Sequence, residues 1–351
     1  MGETSAAELL TPEMIAELKR IELRTRRMLS GDMMGSYRSA FRGSGLVFAD
    51  LREYAPGDDV KSIHWKATAR SDKVYVKCFQ EDRSIEVVVA VDESLSLSAA
   101  PWGSAATARM MPPRAVRAMP PRATRTMHHT ATEFAASVLR LAQQSGDAVG
   151  LALFGKEVRS FERPRSGLRA TEHLLLTLLK ARPEQPGTDI NSLCNYLRSN
   201  QRRRSLVFIV SDFFAPDFKK SLTHLSRRHE VVLVYLDAHH HASAAAGLLR
   251  VRDPETGSDY TIDLSSARVR EAFEKARADH WRALAYCARQ ARVDLLHVAD
   301  GEVIAQLVQL MRRRQSQRGG GRCHVVGDIP RPGERSSALG ESGKSPQGGS
   351  K

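Results

Sequence analysis

The chain has 351 residues, 42% of them hydrophobic, with 53 Lys and Arg against 40 Asp and Glu and a net charge of +13. That apolar fraction excludes disorder of the whole chain and suffices for one large domain or two ordinary ones. Residues 99–129 carry five Arg and no acid, and residues 312–351 carry nine basic against three acidic side chains. The other 280 residues hold only +2, so the body is nearly neutral and does not read as a nucleic-acid surface.

In chain order, Thr11-Pro12-Glu13 sets an N-cap with Pro at the first helical position, and Met14, Leu18 and Ile21 follow at helical spacing. One amphipathic helix is expected over 11–30. From residue 42 to 79 the chain turns often, at Gly43, Gly45 and Pro56-Gly57, and Val74–Phe79 has strand character. Residues 1–84 are expected to form a helix and a small turn-rich β region.

From residue 85 short β-branched runs alternate with amphipathic helices, the pattern of βαβ units around a buried parallel sheet. Strands are predicted at Ile85–Val91, Ala148–Phe154, Ser205–Val210, Glu230–Leu236 and Val293–Val298. Helices are predicted at 131–144, 168–181, 189–199, 217–228, 266–291 and 302–313, with a hairpin over 249–263 turning at Asp253–Gly257. The expected fold is a doubly wound, mostly parallel, Rossmann-like α/β domain spanning 85–311. Two segments fall outside it. The tandem octads MPPRAVRA and MPPRATRT, residues 111–126, place Pro-Pro pairs that forbid a helix, so 99–129 is expected to be a low-complexity insertion. The tail 312–351, rich in Gly, Ser, Arg and Pro, is expected to be disordered.

Cys78, Cys194, Cys287 and Cys323 lie far apart with no CxxC pair, which suits reduced cytosolic thiols. The first twenty residues lack a basic n-region and an apolar h-region, and position 6 is Ala6, not the Ser or Thr of a myristoylation signal. No apolar run approaches the roughly 18 residues of a spanning helix. A soluble, cytoplasmic protein with no membrane span is expected.

The segment Asp92-Glu93-Ser94-Leu95-Ser96 directly follows the first α/β strand. Ligands of open α/β sheets bind outside the carboxyl ends of strands, and a DxSxS turn there gathers a carboxylate and two hydroxyls, hard oxygen donors suited to Mg²⁺ or Mn²⁺. Gly187-Thr188-Asp189 before a helix offers a third hydroxyl, and Ser211-Asp212 at a strand end offers a second carboxylate. Each member has an ordinary reading: DxSxS as a plain turn, Asp189 and Asp212 as helix caps. Their joint occurrence in this order is more specific than any one of them.

That order resembles the metal-ion-dependent adhesion site of von Willebrand factor type A domains. The resemblance implies a von Willebrand factor type A-like fold in which Asp92, Ser94, Ser96, Thr188 and Asp212 hold Mg²⁺ or Mn²⁺ directly or through water, with an open position for a partner's carboxylate. Upstream, Gly43–Phe48, Leu51-Arg52-Glu53-Tyr54, Pro56–Asp59, Ile63-His64-Trp65-Lys66 and Ala69-Arg70 resemble the hallmark of the bacterial domain-of-unknown-function 58 family. Gly146–Leu151, Ser211-Asp212-Phe213 and Asp253–Gly257 agree, so the resemblance runs from about residue 15 to about 313. It departs at His64, where the family usually has Asp, and in the octad insertion, where the family has a shorter connection.

The resemblance implies a non-enzymatic protein-protein interaction module, partner of a MoxR-type AAA+ ATPase in the assembly or maturation of a further complex. The upstream block also has a reading of its own. Arg52, Glu53, Asp58 and Asp59 interleave with Tyr54 and Trp65, either as an ion-paired, aromatic-backed docking face or as an internal network fixing the small region. Two alternative functions stay open: a nucleic-acid binder acting through the Arg-rich segments without sequence specificity, and a metal-dependent hydrolase using the same carboxylates. The hydrolase lacks a general base, since no His is placed beside the site by sequence. Ala338–Ser345 imitates a phosphate-binding loop but lacks the preceding strand and the following helix.

Overall fold

The computed structural model describes residues 36–37, 40–41, 46–56, 58, 63–70, 73–81, 84–98, 126–184, 186–237, 248–252, 257–263, 265–298, 303–316 and 325–326. The expected helix over 11–30 and most of the octad insertion lie outside them. In the N-terminal region, β1 (Leu46–Glu53) and β2 (Tyr75–Glu81) pair antiparallel, with the one-turn helix α1 (Trp65–Thr68) between them. His64 caps α1, its Nδ1 accepting the Ala67 N–H at 3.0 Å. It thus performs the capping task for which Asp is a preferred residue.

The α/β domain is built on β3 (Glu86–Asp92), α2 (Met127–Gln144), β4 (Ala148–Phe154), β5 (Val158–Arg165), α3 (Leu168–Lys180), α4 (Ile190–Asn200), β6 (Ser205–Ser211), α5 (Lys219–Ser226), β7 (Glu230–Leu236), β8 (Leu248–Arg252), β9 (Asp259–Asp263), α6 (Ala267–Ala291), β10 (Asp294–Val298), α7 (Val303–Ser316) and β11 (Val325–Val326). The seven-stranded sheet runs in the order β11-β10-β7-β6-β3-β4-β5 and is parallel except where β5 returns antiparallel to β4. β8 and β9 form the expected hairpin.

The central strands are buried on both faces, which is why Val87–Val91 and Leu206–Val210 read as unbroken apolar runs without alternation. On one face Val87, Val89, Phe208 and Val234 pack against Phe134 and Leu139 of α2, Leu178 of α3 and Leu310 of α7. On the other, Val88, Ala90, Ile209 and Leu233 pack against Leu193 of α4, Leu222 of α5 and Leu284 of α6. The doubly wound, mostly parallel fold expected from the sequence is therefore the observed one. Among the described residues no helix is long and apolar enough to cross a membrane.

Three expectations need correction. β5 was not expected; it is an edge strand with one half-buried face and a proline, Pro164, which an edge tolerates. The expected insertion, 99–129, ends too late: Thr126 caps α2, accepting the His129 N–H at 3.2 Å, and Met127–His129 form its first turn. The expected tail starts too early. Residues 312–316 continue α7, and Val325–Val326 extend the sheet beside β10. Arg314 is the physical reason: its side chain is 7% exposed, pairs with Asp294 and Glu230, and lies over the Phe41 ring at 4.6 Å.

Candidate metal centre

The chain passes from β3 to β4 on one side and later places β6 on the other side of β3, so the sheet order reverses at β3. The carboxyl ends of β3 and β6 thus meet at a topological switch point, where open α/β sheets bind their ligands. Parallel pairing sets Val91 opposite Val210, which brings Asp92 beside Ser211 one residue further on.

Asp92 is fully buried. Its Oδ1 accepts the Ser94 N–H at 2.8 Å, the hydrogen bond that bends the chain into the DxSxS turn. Its Oδ2 accepts the Ser211 hydroxyl at 2.6 Å and the Thr188 hydroxyl at 3.0 Å. The Ser94 and Ser96 hydroxyls lie 2.9 Å apart, and a Ser96 hydrogen bond reaches the Asp212 carboxyl. Asp212, 2% exposed, accepts the Phe214 N–H at 3.1 Å. Asp92, Ser94, Ser96, Thr188 and Asp212 are therefore brought together, from three loops.

Burial raises the pKa of Asp92 to about 6, and the nearby charge of Asp212 adds to the rise. Asp212 is also raised, mainly by burial, against the opposing hydrogen bond from Ser96. Among the described residues neither carboxylate has a Lys or Arg ion-pair partner. Two buried like charges surrounded by hydroxyls are a poor site for the protein alone and a fitting one for a hard divalent cation. Among the described residues no group of three His, Cys, Asp or Glu gathers for a metal. What gathers here is two carboxylates plus hydroxyls.

The local caps are resolved too. Asp189 does cap α4, accepting the Asn191 N–H at 2.8 Å. Asp212 does not cap α5; Asp217 accepts the Lys219 N–H at that helix start. Between them, Phe213 takes a left-handed backbone (φ 55°), which turns its ring into the core and leaves Phe214 67% exposed at the rim.

Several residues of this neighbourhood escaped sequence reasoning. Ser211 was quoted only as the neighbour of Asp212, yet its hydroxyl donates to Asp92 and accepts the Phe213 N–H at 2.9 Å. Glu93, 3% exposed, pairs with Arg159 of β5. His280 of α6 stacks on Phe214 with ring centroids 4.1 Å apart, and its Nε2 lies 3.0 Å from the Asp212 carbonyl oxygen. A histidine therefore does sit beside the site, which sequence spacing alone did not place there, with Nε2 donating to backbone.

In the N-terminal region Arg52 meets Asp58 at 2.5 Å, Asp58 also accepts the Ala55 N–H at 2.9 Å, and Lys73 meets Glu53 at 2.5 Å. The Arg52 hydrogen bond, then that of Ala55, holds Asp58 below the usual carboxylate range. Tyr54 and Trp65 are 38% and 66% exposed. Asp59 lies outside the described residues.

Fold and site together define a doubly wound α/β domain with a hydroxyl-and-carboxylate cluster at its switch point. The chain belongs to the family described as "Protein of unknown function DUF58", whose family model matches residues 50–112 and 115–283. An uncharacterized protein of Mycobacterium tuberculosis (strain ATCC 25618 / H37Rv) is 26% identical over 312 residues, 87% of this chain and 90% of its own length. An uncharacterized protein of Mycobacterium avium is 31% identical over 159 residues, 43% of this chain and 92% of its own. Among solved structures, the conserved hypothetical protein BatB from Bacteroides thetaiotaomicron aligns at 11% identity with a TM-score of 0.40, covering 67% of this chain and 100% of that one.

Proposed function

We propose that this chain is a non-enzymatic protein-interaction module whose grip depends on Mg²⁺ or Mn²⁺. The observation that carries this reading is the pair of buried, mutually repelling carboxylates, Asp92 and Asp212, ringed by hydroxyls at the switch point and without a Lys or Arg ion-pair partner among the described residues. Asp92, Asp212 and the hydroxyls of Ser94, Ser96 and Thr188 would hold the ion. Bound there, it would neutralise both carboxylates and present an open coordination position to an acidic side chain of another protein.

Ser211 orients Asp92, the Phe214 N–H orients Asp212, and the Asp92–Ser94 turn keeps the first loop closed. The partner we propose is a MoxR-type AAA+ ATPase, which would supply hydrolysis while this chain supplies recognition. Calorimetric titration tests the site: the wild type should bind Mn²⁺, and Asp92→Ala should lose that binding while keeping its circular dichroism spectrum. Equal Mn²⁺ binding by both proteins sinks the assignment. Capture of the ATPase by the tagged chain, lost on chelation, tests the partner.

A further inference from the structure

Arg159 occupies a position that metal binding itself does not use. In the β4–β5 ladder Val158 pairs with Phe154 and Ser160 with Leu153, so Arg159 is the extra residue of a β-bulge. Bulges re-aim a side chain, and this one points at two loops at once. One guanidinium nitrogen donates to Glu93 Oε2 at 3.0 Å, and another donates to Glu184 Oε2 at 3.1 Å. Glu93 sits between Asp92 and Ser94 of the first metal loop, and Glu184 lies in the loop that carries Thr188. The backbone repeats the connection on the same strand end: the Glu93 N–H donates to Phe154 O at 2.7 Å, and the Asp189 N–H donates to Gly155 O at 2.9 Å.

We infer that Arg159 is a positioning residue that sets the spacing of the first and second loops of the metal centre, acting through Glu93 and Glu184. The inference rests on the reading of Asp92, Ser94, Ser96, Thr188 and Asp212 as the ion's ligands. The Glu93 side chain is 2% exposed and among the described residues its buried Oε1 has no hydrogen-bond partner, so the Arg159 bond to Oε2 is what holds this carboxylate in place. A guanidinium suits the task because its rigid planar fork can address two carboxylates in fixed directions, whereas an ammonium is a point charge on a flexible stem. β5 is held close enough to deliver it: a Cβ on Gly150 would stand 2.7 Å from Glu162 O.

The sign of the effect separates positioning from plain electrostatics. Removing a positive charge near a cation site should by Coulomb attraction alone tighten metal binding. Positioning requires the opposite. Mn²⁺ titrations of the full chain are therefore compared for the wild type, Arg159→Ala, Arg159→Lys and Glu184→Gln, with thermal unfolding measured in chelator for each. We expect Arg159→Ala to weaken Mn²⁺ binding about 10-fold or more, the usual penalty for losing a group that orients metal ligands. Arg159→Lys should recover only part of that loss and Glu184→Gln should show a smaller one, while unfolding in chelator stays within about 2 °C of the wild type. Binding by Arg159→Ala as tight as or tighter than wild type, or full recovery by Arg159→Lys, overturns the inference and leaves the ligand assignment standing. Early unfolding of all three variants in chelator overturns it in favour of a structural role. A wild type that binds no Mn²⁺ overturns the metal reading, and this inference with it.

Discussion

At the edge where the parallel strands begin, Glu86, Glu230 and Asp294 each meet a side chain that answers their charge. Glu86 takes the Gln201 amide and lies 3.5 Å from Arg203, while Glu230 and Asp294 share Arg314. At the opposite edge, Asp92 and Asp212 are buried more deeply, and among the described residues they meet hydroxyls, backbone N–H groups and each other, with no Lys or Arg ion-pair partner. The deficit is local to the switch point: just past β7, Asp237 pairs with His297 at 3.0 Å and lies 3.5 Å from Arg277. The difference teaches that acids along this sheet are answered by side chains of the chain itself, except at the switch point, where no Lys or Arg among the described residues pairs with Asp92 or Asp212. Buried charge left uncompensated in a folded domain marks function more than stability.

The strongest way to break the comparison is to unbalance the closed edge. Arg314→Ala should strand Asp294, itself 7% exposed, and Glu230, and strip the contact with Phe41. A loss of about 3 kcal/mol is expected by urea denaturation, in the range seen when one partner of a buried pair is removed. A loss below about 1 kcal/mol would mean that the closed edge is not held by its charges.

Much of this was legible in the sequence because the chemistry follows the backbone. Continuous runs such as Val87–Val91 read as doubly buried strands, and residues directly after them lie at the carboxyl edge, which placed Asp92 and Asp212 there; Thr188 was placed at the same rim by its position before a helix. What escaped depends on sheet order and distant partners. Ser211 matters because β6 lies beside β3, and no local signal states that. His280 lies 68 residues from Asp212, and Arg314 reaches 84 residues back to Glu230, the pairing that turned an expected tail into helix. β5 was missed because VRSFERPR alternates weakly and carries a proline, the marks of an edge.

One group at the closed edge goes against the pattern and sharpens it. His229, just before β7, is 2% exposed, and among the described residues neither ring nitrogen has a hydrogen-bond partner. Burial first, then the charges of Arg228 and Arg204, lower its pKa to about 4. The unfolded chain takes up this proton near pH 6.5 and the folded chain only near 4. The stability contribution is thus present above about pH 6.5 and is lost as pH falls to about 4. Denaturation across that window should show His229→Leu less acid-sensitive than wild type by about 1–2 kcal/mol. Parallel pH profiles would show that His229 does not titrate with folding.

The smallest expected effect is the most discriminating, because its sign differs between the two edges. Asp212→Asn keeps the side chain's shape and an oxygen to accept the Phe214 N–H, and it removes one of the two charges that repel across the switch point. In chelator the variant should unfold at equal or slightly higher urea, a gain of up to about 1 kcal/mol, as at functional sites that trade stability for activity. In saturating Mn²⁺ the order should invert, since only the wild type gains from ligand binding, about 2.7 kcal/mol at a hundred times the dissociation constant. The crossing of the two curves is the signature of an edge balanced from outside. If Asp212→Asn is less stable than wild type in chelator, the carboxylate is already compensated within the fold, and the contrast between the two edges fails at its centre.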